Sequence, residues 1–355
     1  PELILTVTGP DGNEVTEMSG LTHKVVQDRE NKSISGFDVT TTNGLITIAN
    51  KKTISATQAT PSKEEQYTLK LTFVNYEGDQ TANATSTLSA KVMIQKEPIV
   101  TTLASYITNL YTGTQGENGI YYHDASLTNG AGDNSYRYAG ANPNNYVCFG
   151  SNATPCPTDN LYRIIGVFGD QVKLIKSTSV GKKAWDSNRK NTWSTSSLNT
   201  YLNNEFINTF DETTNGKIAE TTWKVGGFSI DGQPAQTVYQ NEINSSPSET
   251  KKIGLMYASD YGFAAAPSAW TTTLGGYGKV AIKSANWMYL GSDEWTISRR
   301  GGFSLYAFSV NESGSVTGSY NYVTNAHAVL PVFNLVSSVT YVSGDGTKTE
   351  PIHIN

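Results

Sequence analysis

The sequence predicts a mainly β protein in two parts, an N-terminal β-sandwich over residues 1–97 and a larger α+β domain over residues 98–355. Three observations carry this. The first part consists of short runs of alternating apolar and polar residues, broken by Gly, Asn, Pro and Asp at the spacing of a sandwich. At "KEPIVTTLASYITNLY" a proline is followed by apolar residues at helical intervals, which places the boundary near Glu97. Beyond it, a hairpin pattern and amphipathic helices alternate with pieces rich in Trp, Gly and Tyr.

Taken in order, "ELILTVTG", "SGFDVTTTNGLITIAN", "KTISATQA", "EQYTLKLTFVNYEG" and "STLSAKVMIQK" read as strands. In the fourth, Tyr67, Leu69, Leu71 and Phe73 share one face and Thr68, Lys70 and Thr72 the other, because successive strand side chains point to opposite faces. "VTTLASYITNLY" then sets Leu103, Tyr106, Ile107 and Leu110 on one side of a short helix. "LYRIIGVF" and "QVKLIKS" flank Gly169-Asp170, a pair suited to a two-residue primed turn, and predict a hairpin. "STSSLNTYLNNEFINTF" places Leu198, Tyr201, Leu202 and Phe206 on one stripe behind a Ser/Thr cap, a helix expected to pack on the sheet. From Trp223 the chain breaks into short pieces, without a tandem repeat, and closes with "VLPVFNLVSSVTYVSGDGT".

Charged residues make up only 16% of the chain and the net charge is −5, which leaves no basic stripe for nucleic acid. No apolar run is long enough to insert into a membrane. The abundance of Gly (32) and Tyr (20) on a polar, weakly charged background is typical of secreted β proteins and of binding faces. The opening "PELILTVTG" is already strand-like and has no signal peptide, so the chain reads as a mature or trimmed ectodomain.

The two cysteines, Cys148 and Cys156, have three readings. Zinc needs three or four soft ligands, but no third cysteine exists and His23, His123, His327 and His353 are scattered singly. A catalytic dithiol is normally Cys-x-x-Cys at a helix start, whereas Gly, Asn and Pro here make the intervening segment a loop. The expectation is a disulfide stapling that loop, which implies an oxidising, extracytoplasmic setting; two buried free thiols are the alternative.

A search for chemistry finds no nucleophile elbow, phosphate loop or dinucleotide fingerprint. Asp293 and Glu294 are adjacent, point to opposite faces of a strand, and are expected in a solvated turn rather than as an acid–base pair. His327, among small and apolar residues, is expected to be a structural or surface histidine. "GDNSYRYAGANPNN" and "YVSGDGTKTEP" put oxygen ligands near glycines, but neither fits the twelve-residue helix-loop-helix calcium pattern that a bidentate glutamate closes, and both read as turns. The expectation is therefore no enzyme, no metal and no cofactor.

The segment "NWMYLGSDEWTISRRGGFSLYAFSVNESGSVTGSYNYVTNAHAVLPVFNLVSSVTYVSGDGT" has a Trp-containing strand, "WTISR", the strand "SLYAFSV", a Gly turn at "NESGSV" and a closing "PVFNL" strand. In this it resembles the C-terminal half of C-type-lectin-like (formylglycine-generating-enzyme-like) domains on surface proteins of gut Firmicutes and their phages. Some of these are variable proteins of diversity-generating retroelements. "YRYAGANPNNYVCFGS" and "CPTDNLYRIIGVFGDQVKLIKS" resemble segments of the same group, so the resemblance spans about residues 100–355. The first part resembles bacterial immunoglobulin-like spacer domains in architecture. One departure is Leu330-Pro331-Val332, where such domains often have Arg-Pro-Val, whose arginine could tie the last strand through a buried bidentate pair.

The resemblance implies a compact frame, supplied by Trp185, Trp193, Trp223, Trp270, Trp287 and Trp295, that carries irregular loops. It also implies an adhesive or receptor-binding protein of the cell surface or a phage particle, whose partner is a cell-surface protein or glycan. The expected binding residues are Arg299, Arg300, Phe303, Tyr306, Asn311, Tyr320, Asn321, Tyr322 and Asn325, because guanidinium forks, flat aromatics and amides suit contact. The alternative is a structural, pilus-like subunit in which the alternating C-terminal run "KTEPIHIN" adds to a neighbour's sheet edge. An enzyme of the sulfatase-modifying type would need a reactive cysteine arrangement late in the domain, and both cysteines lie early.

Overall fold

Alternating side chains build the first of two units, Pro1–Ile99, in the computed structural model of the chain. The structure describes residues 2–18, 20–40, 46–48, 65–78, 80, 92, 101–230, 232–319 and 321–355. In the first unit, strands β1 (Leu3–Thr8), β2 (His23–Gln27), β3 (Ser33–Asp38) and β4 (Thr68–Phe73) form an antiparallel sheet of order β2-β3-β1-β4. Leu5, Val7, Met18, Phe37 and Val39 make its core. Gly36, at φ +147°, is required where β3 lies against β1, since a Cβ there would fall 2.5 Å from the Leu5 carbonyl oxygen. Leu69, Leu71 and Phe73 do share a face, opposite Val7, Leu5 and Leu3, and are 40%, 41% and 47% exposed. "KTISATQA" and all of "STLSAKVMIQK" except Val92 lie outside the described residues, so a single sheet of the expected sandwich is described.

The second unit, Val100–Asn355, combines short strands with short helices in comparable amounts. Its earlier strands are β5 (Ile120–His123), β6 (Ser135–Tyr138), β7 (Tyr146–Cys148), β8 (Leu161–Phe168), β9 (Gln171–Lys176), β10 (Lys182–Lys183), β11 (Thr221–Lys224), β12 (Gly227–Phe228) and β13 (Ser248–Lys251). The later ones are β14 (Glu294–Arg300), β15 (Ala307–Val310), β16 (Val316–Thr317), β17 (His327–Ala328), β18 (Val332–Asn334), β19 (Tyr341–Ser343) and β20 (Ile352–Ile354). The helices used below are α1 (Leu103–Asn109), α2 (Ser197–Thr200), α3 (Glu212–Gly216), α4 (Ala235–Ile243) and α5 (Ala258–Ala264).

One sheet runs β18-β9-β8-β7-β20-β19, with β6 also paired to β8 and β5 to β6. The β8–β9 hairpin turns at Gly169, whose φ of +63° fits the primed turn expected of Gly169-Asp170. Along its other edge β8 pairs first with β7, through Leu161–Arg163, and then with β6, through Gly166 and Val167. Cys148 ends β7 and is disulfide-bonded to Cys156, with Cα atoms 5.9 Å apart. A closed loop this short restricts the unfolded chain by about 2 kcal/mol on the loop-entropy account.

The C-terminal run overturns the idea of a strand offered to a neighbour. β20 already has partners on both sides, β7 in parallel and β19 antiparallel, and buries Ile352 and Ile354. The segment just before β19 joins the two ends of the unit. Leu103 N donates to Val339 O (2.8 Å) and Tyr341 N to Thr101 O (2.9 Å), while Thr340 and Asn355 exchange two bonds (3.1 and 3.3 Å). Leu330, the departure from the Arg-Pro-Val pattern, is buried, and β18 is held by its ladder to β9.

A second sheet runs β10-β17-β14-β15-β16. Its axis is β14, which has β15 along one edge, β17 in parallel beside its start and β12 in parallel beside its end. All six tryptophans are buried. All but Trp193 donate their ring N–H to a backbone carbonyl; Trp185 donates to Thr296 (3.1 Å) and Trp295 to Lys183 (2.9 Å), stitching β14 to the segment around β10. Rings of this size supply apolar area and one polar handle each, which suits a frame with short regular elements.

The predicted stripe forms as one helical segment of mixed pitch: α2, capped by Ser196, continues as a π-helical turn over Tyr201–Phe206 and ends in a 3-10 turn, Ile207–Thr209. Leu198, Leu202 and Phe206 are buried and Tyr201 half-buried. Phe206 packs edge-on against Phe210, which reaches Phe333 of β18. Leu202→Ala is therefore expected to destabilise the second unit by about 2–4 kcal/mol through lost burial and a residual cavity. An unchanged denaturation midpoint would show that this face does not pack.

Candidate ligand-binding loop face

β14 carries Arg299 and Arg300 at its end, and residues 301–306 return the chain to β15. Backbone bonds close this turn only sparsely, and a buried asparagine does the rest. Asn191 Nδ2 donates to the carbonyls of Arg300 (3.0 Å), Phe303 (2.9 Å) and Tyr306 (2.7 Å). Its Oδ1 accepts from Arg299 Nη1 (3.3 Å), and its backbone N–H donates to Ser304 O (2.7 Å). One planar amide thus fixes the back of the whole loop, leaving the front to side chains.

On that front, the Arg300 guanidinium lies over the Phe303 ring at 4.6 Å and donates to Ser319 Oγ (2.8 Å). Phe303 is 52% exposed and meets Tyr306 edge-on, at 6.1 Å. Tyr306 in turn packs on Tyr322, at 4.9 Å, which is 38% exposed. Asn321 is spent on the frame, donating to Thr317 O (2.7 Å) and bonding Ala307 N through its own carbonyl. Asn325 closes a turn onto Tyr322 O. Arg299 points its Nε to Val225 O (3.1 Å) and, with Trp193, Val225, Pro247 and Glu249, lines a cleft of about 160 Å³.

Two expected residues do not join this group. Tyr320 lies outside the described residues. Asn311 sits at the far end of the sheet: β15 is antiparallel to β14, so Ala307 is beside Arg299 whereas Val310 is beside Glu294, about 15 Å away at the rise of a strand. Its side-chain oxygen is also engaged, with Oδ1 accepting from Ser313 N and Oγ and from Ser315 N. Asn311 shapes the β15–β16 turn.

Near β14, Glu294 differs from the solvated turn expected of it, whereas His327 is structural, as expected. Asp293 is partly exposed, but Glu294 is buried on the opposite face, and burial pushes its carboxyl up from 4.5 to about 8. His327 is buried against Trp295, ring centroids 4.2 Å apart, and burial lowers its pKa. Behind β14, Glu242 of α4 accepts from Ser298 Oγ (2.9 Å) and from the Ser259 hydroxyl and amide. Burial, with Asp260 nearby, raises its carboxyl from 4.5 to about 7. His123 is held at about 3, by burial and then by Arg137, and accepts the Ala131 N–H on Nδ1 (3.0 Å).

A domain of unknown function, DUF6273, matches residues 169–337. That span runs from the β8–β9 turn through β18 and includes the loop face, Asn191 and Glu242. No curated protein and no solved structure matches the chain.

Asn191→Ala should take a donor from three loop carbonyls, leaving those of Phe303 and Tyr306 with only a long backbone bond of 3.3 Å each, and cost about 2–4 kcal/mol. It should also speed hydrogen exchange across residues 300–306; parental stability and exchange would show that the clamp is dispensable. Glu242 and Glu294 keep a proton when folded at pH values where the unfolded chain has released it. Their stabilisation is full below about pH 4.5 and is lost as pH rises through about 7 and 8. The melting temperature should accordingly fall between about pH 5 and pH 8, and the double variant Glu242→Gln/Glu294→Gln should flatten that slope. A parent whose melting temperature is constant over this range contradicts the assignment.

Proposed function

We propose that the chain is an extracellular surface protein in which an immunoglobulin-like spacer precedes a C-type-lectin-like head, and that the head binds a glycan or a surface protein. The observation that carries this reading is the loop face itself. Arg300, Phe303, Tyr306 and Tyr322 form one contiguous group, two of whose rings are open to solvent, on a loop made rigid from behind. Rigid aromatic and guanidinium groups bind at low entropic cost: rings stack on sugar faces or fill protein pockets, and the guanidinium grips carboxylates. The Cys148–Cys156 disulfide supports an oxidising compartment.

The test is a glycan and surface-protein array probed with the full chain, followed by the triple variant Arg300→Ala/Phe303→Ala/Tyr322→Ala. Central aromatic and Arg contacts are typically worth about 2 kcal/mol or more each, so the variant should lose at least about thirtyfold in affinity. Its melting temperature should stay near the parental value. Silence of the parent across the array, or full binding by a folded triple variant, would remove the reading.

A further inference from the structure

Lys173 of β9 and Asp260 of α5 lie in the interior of the second unit, 5% and 3% exposed, with Nζ 2.5 Å from Oδ2. The lysine is walled by aromatic rings, its Nζ 4.8 Å from the centroid of Tyr257, 5.4 Å from Phe168 and 5.8 Å from Trp223. Arg137 Nη1 stands 3.6 Å from the other carboxyl oxygen, Oδ1, and the Tyr257 amide donates to Oδ2 (2.9 Å). The Arg137 charge is balanced separately by Asp133, at 2.6 Å. Glu242, a further buried acid, is held by Ser259, the residue before Asp260.

We propose that Lys173 and Asp260 condense into an intramolecular isopeptide bond. The ammonium first passes a proton to Oδ2 along the 2.5 Å hydrogen bond that joins them. The neutral amine then attacks Cγ, forming the C–N bond, while Arg137 stabilises the charge that gathers on Oδ1. A second amine proton moves to the Oδ2 hydroxyl, the Cγ–Oδ2 bond breaks, and one water leaves. No oxidant or other reactant is needed. The product is a neutral amide beside the Arg137–Asp133 pair, so the interior remains balanced in charge. Contact between amine and carboxyl in one fixed geometry supplies the effective concentration that the uncatalysed reaction in water lacks.

The test is the intact mass of the purified full chain, reduced and denatured. It should be lighter than the sequence requires by one water, and proteolysis should yield a branched peptide joining the segments that contain Lys173 and Asp260. Lys173→Arg keeps the positive charge without the reactive amine and should restore the full sequence mass. A parent chain of unmodified mass overturns the proposal and leaves an ordinary ion pair. Loss of water mapped to any other residues overturns it as well. The parental peptide map decides the matter even if the variant fails to fold.

Discussion

Asp260 is the meeting point of the second unit. It lies on α5, and its carboxylate accepts from Lys173 on β9 and faces Arg137 on β6, two strands that flank β8 on opposite edges. Through the next polar layer, Ser259 bonds Glu242 of α4, and Glu242 bonds Ser298 in the middle of β14, the axis of the other sheet. Two sheets and two helices are therefore registered by one chain of buried polar contacts. Such contacts contribute less to net stability than apolar burial does, because desolvation opposes them. Their geometric demand is strict, since any slip of a strand would strand a charge away from water.

With the sheets registered in this way, β14 can end in a loop that carries little regular structure. Asn191 reaches that loop from more than a hundred residues away, and the tryptophan N–H bonds hold the surrounding segments to β14. The loop face thus has its side chains outside and its backbone satisfied inside. That division lets an exposed Phe303 or Tyr322 be presented without local unfolding, since the residues that contact solvent are not those that hold the shape.

Features decided by neighbours in sequence were legible beforehand. Gly169-Asp170, the Ser196 cap, the Leu198–Leu202–Phe206 stripe and the cysteine loop all depend on residues a few positions apart. What escaped depends on long-range pairing. "QVKLIKS" alternates like a strand with one wet face, yet Lys173 and Lys176 are both buried, because that sheet is covered on both sides. Asn191 is one amide in a polar loop and carries no periodic signal. The candidate residues share a contact chemistry and lie between two strands, and the antiparallel return of β15 carries Asn311 to the other end of the sheet.

The bonding of Val339–Tyr341 to both Thr101–Leu103 and Asn355 has a mechanical consequence. Residues 101–103 and the end of β20 both run antiparallel to residues 339–341, so a pull between residue 101 and residue 355 would load these few hydrogen bonds in shear, together rather than one after another. While those bonds hold, the loop after β14 lies off the path of that force and keeps its shape.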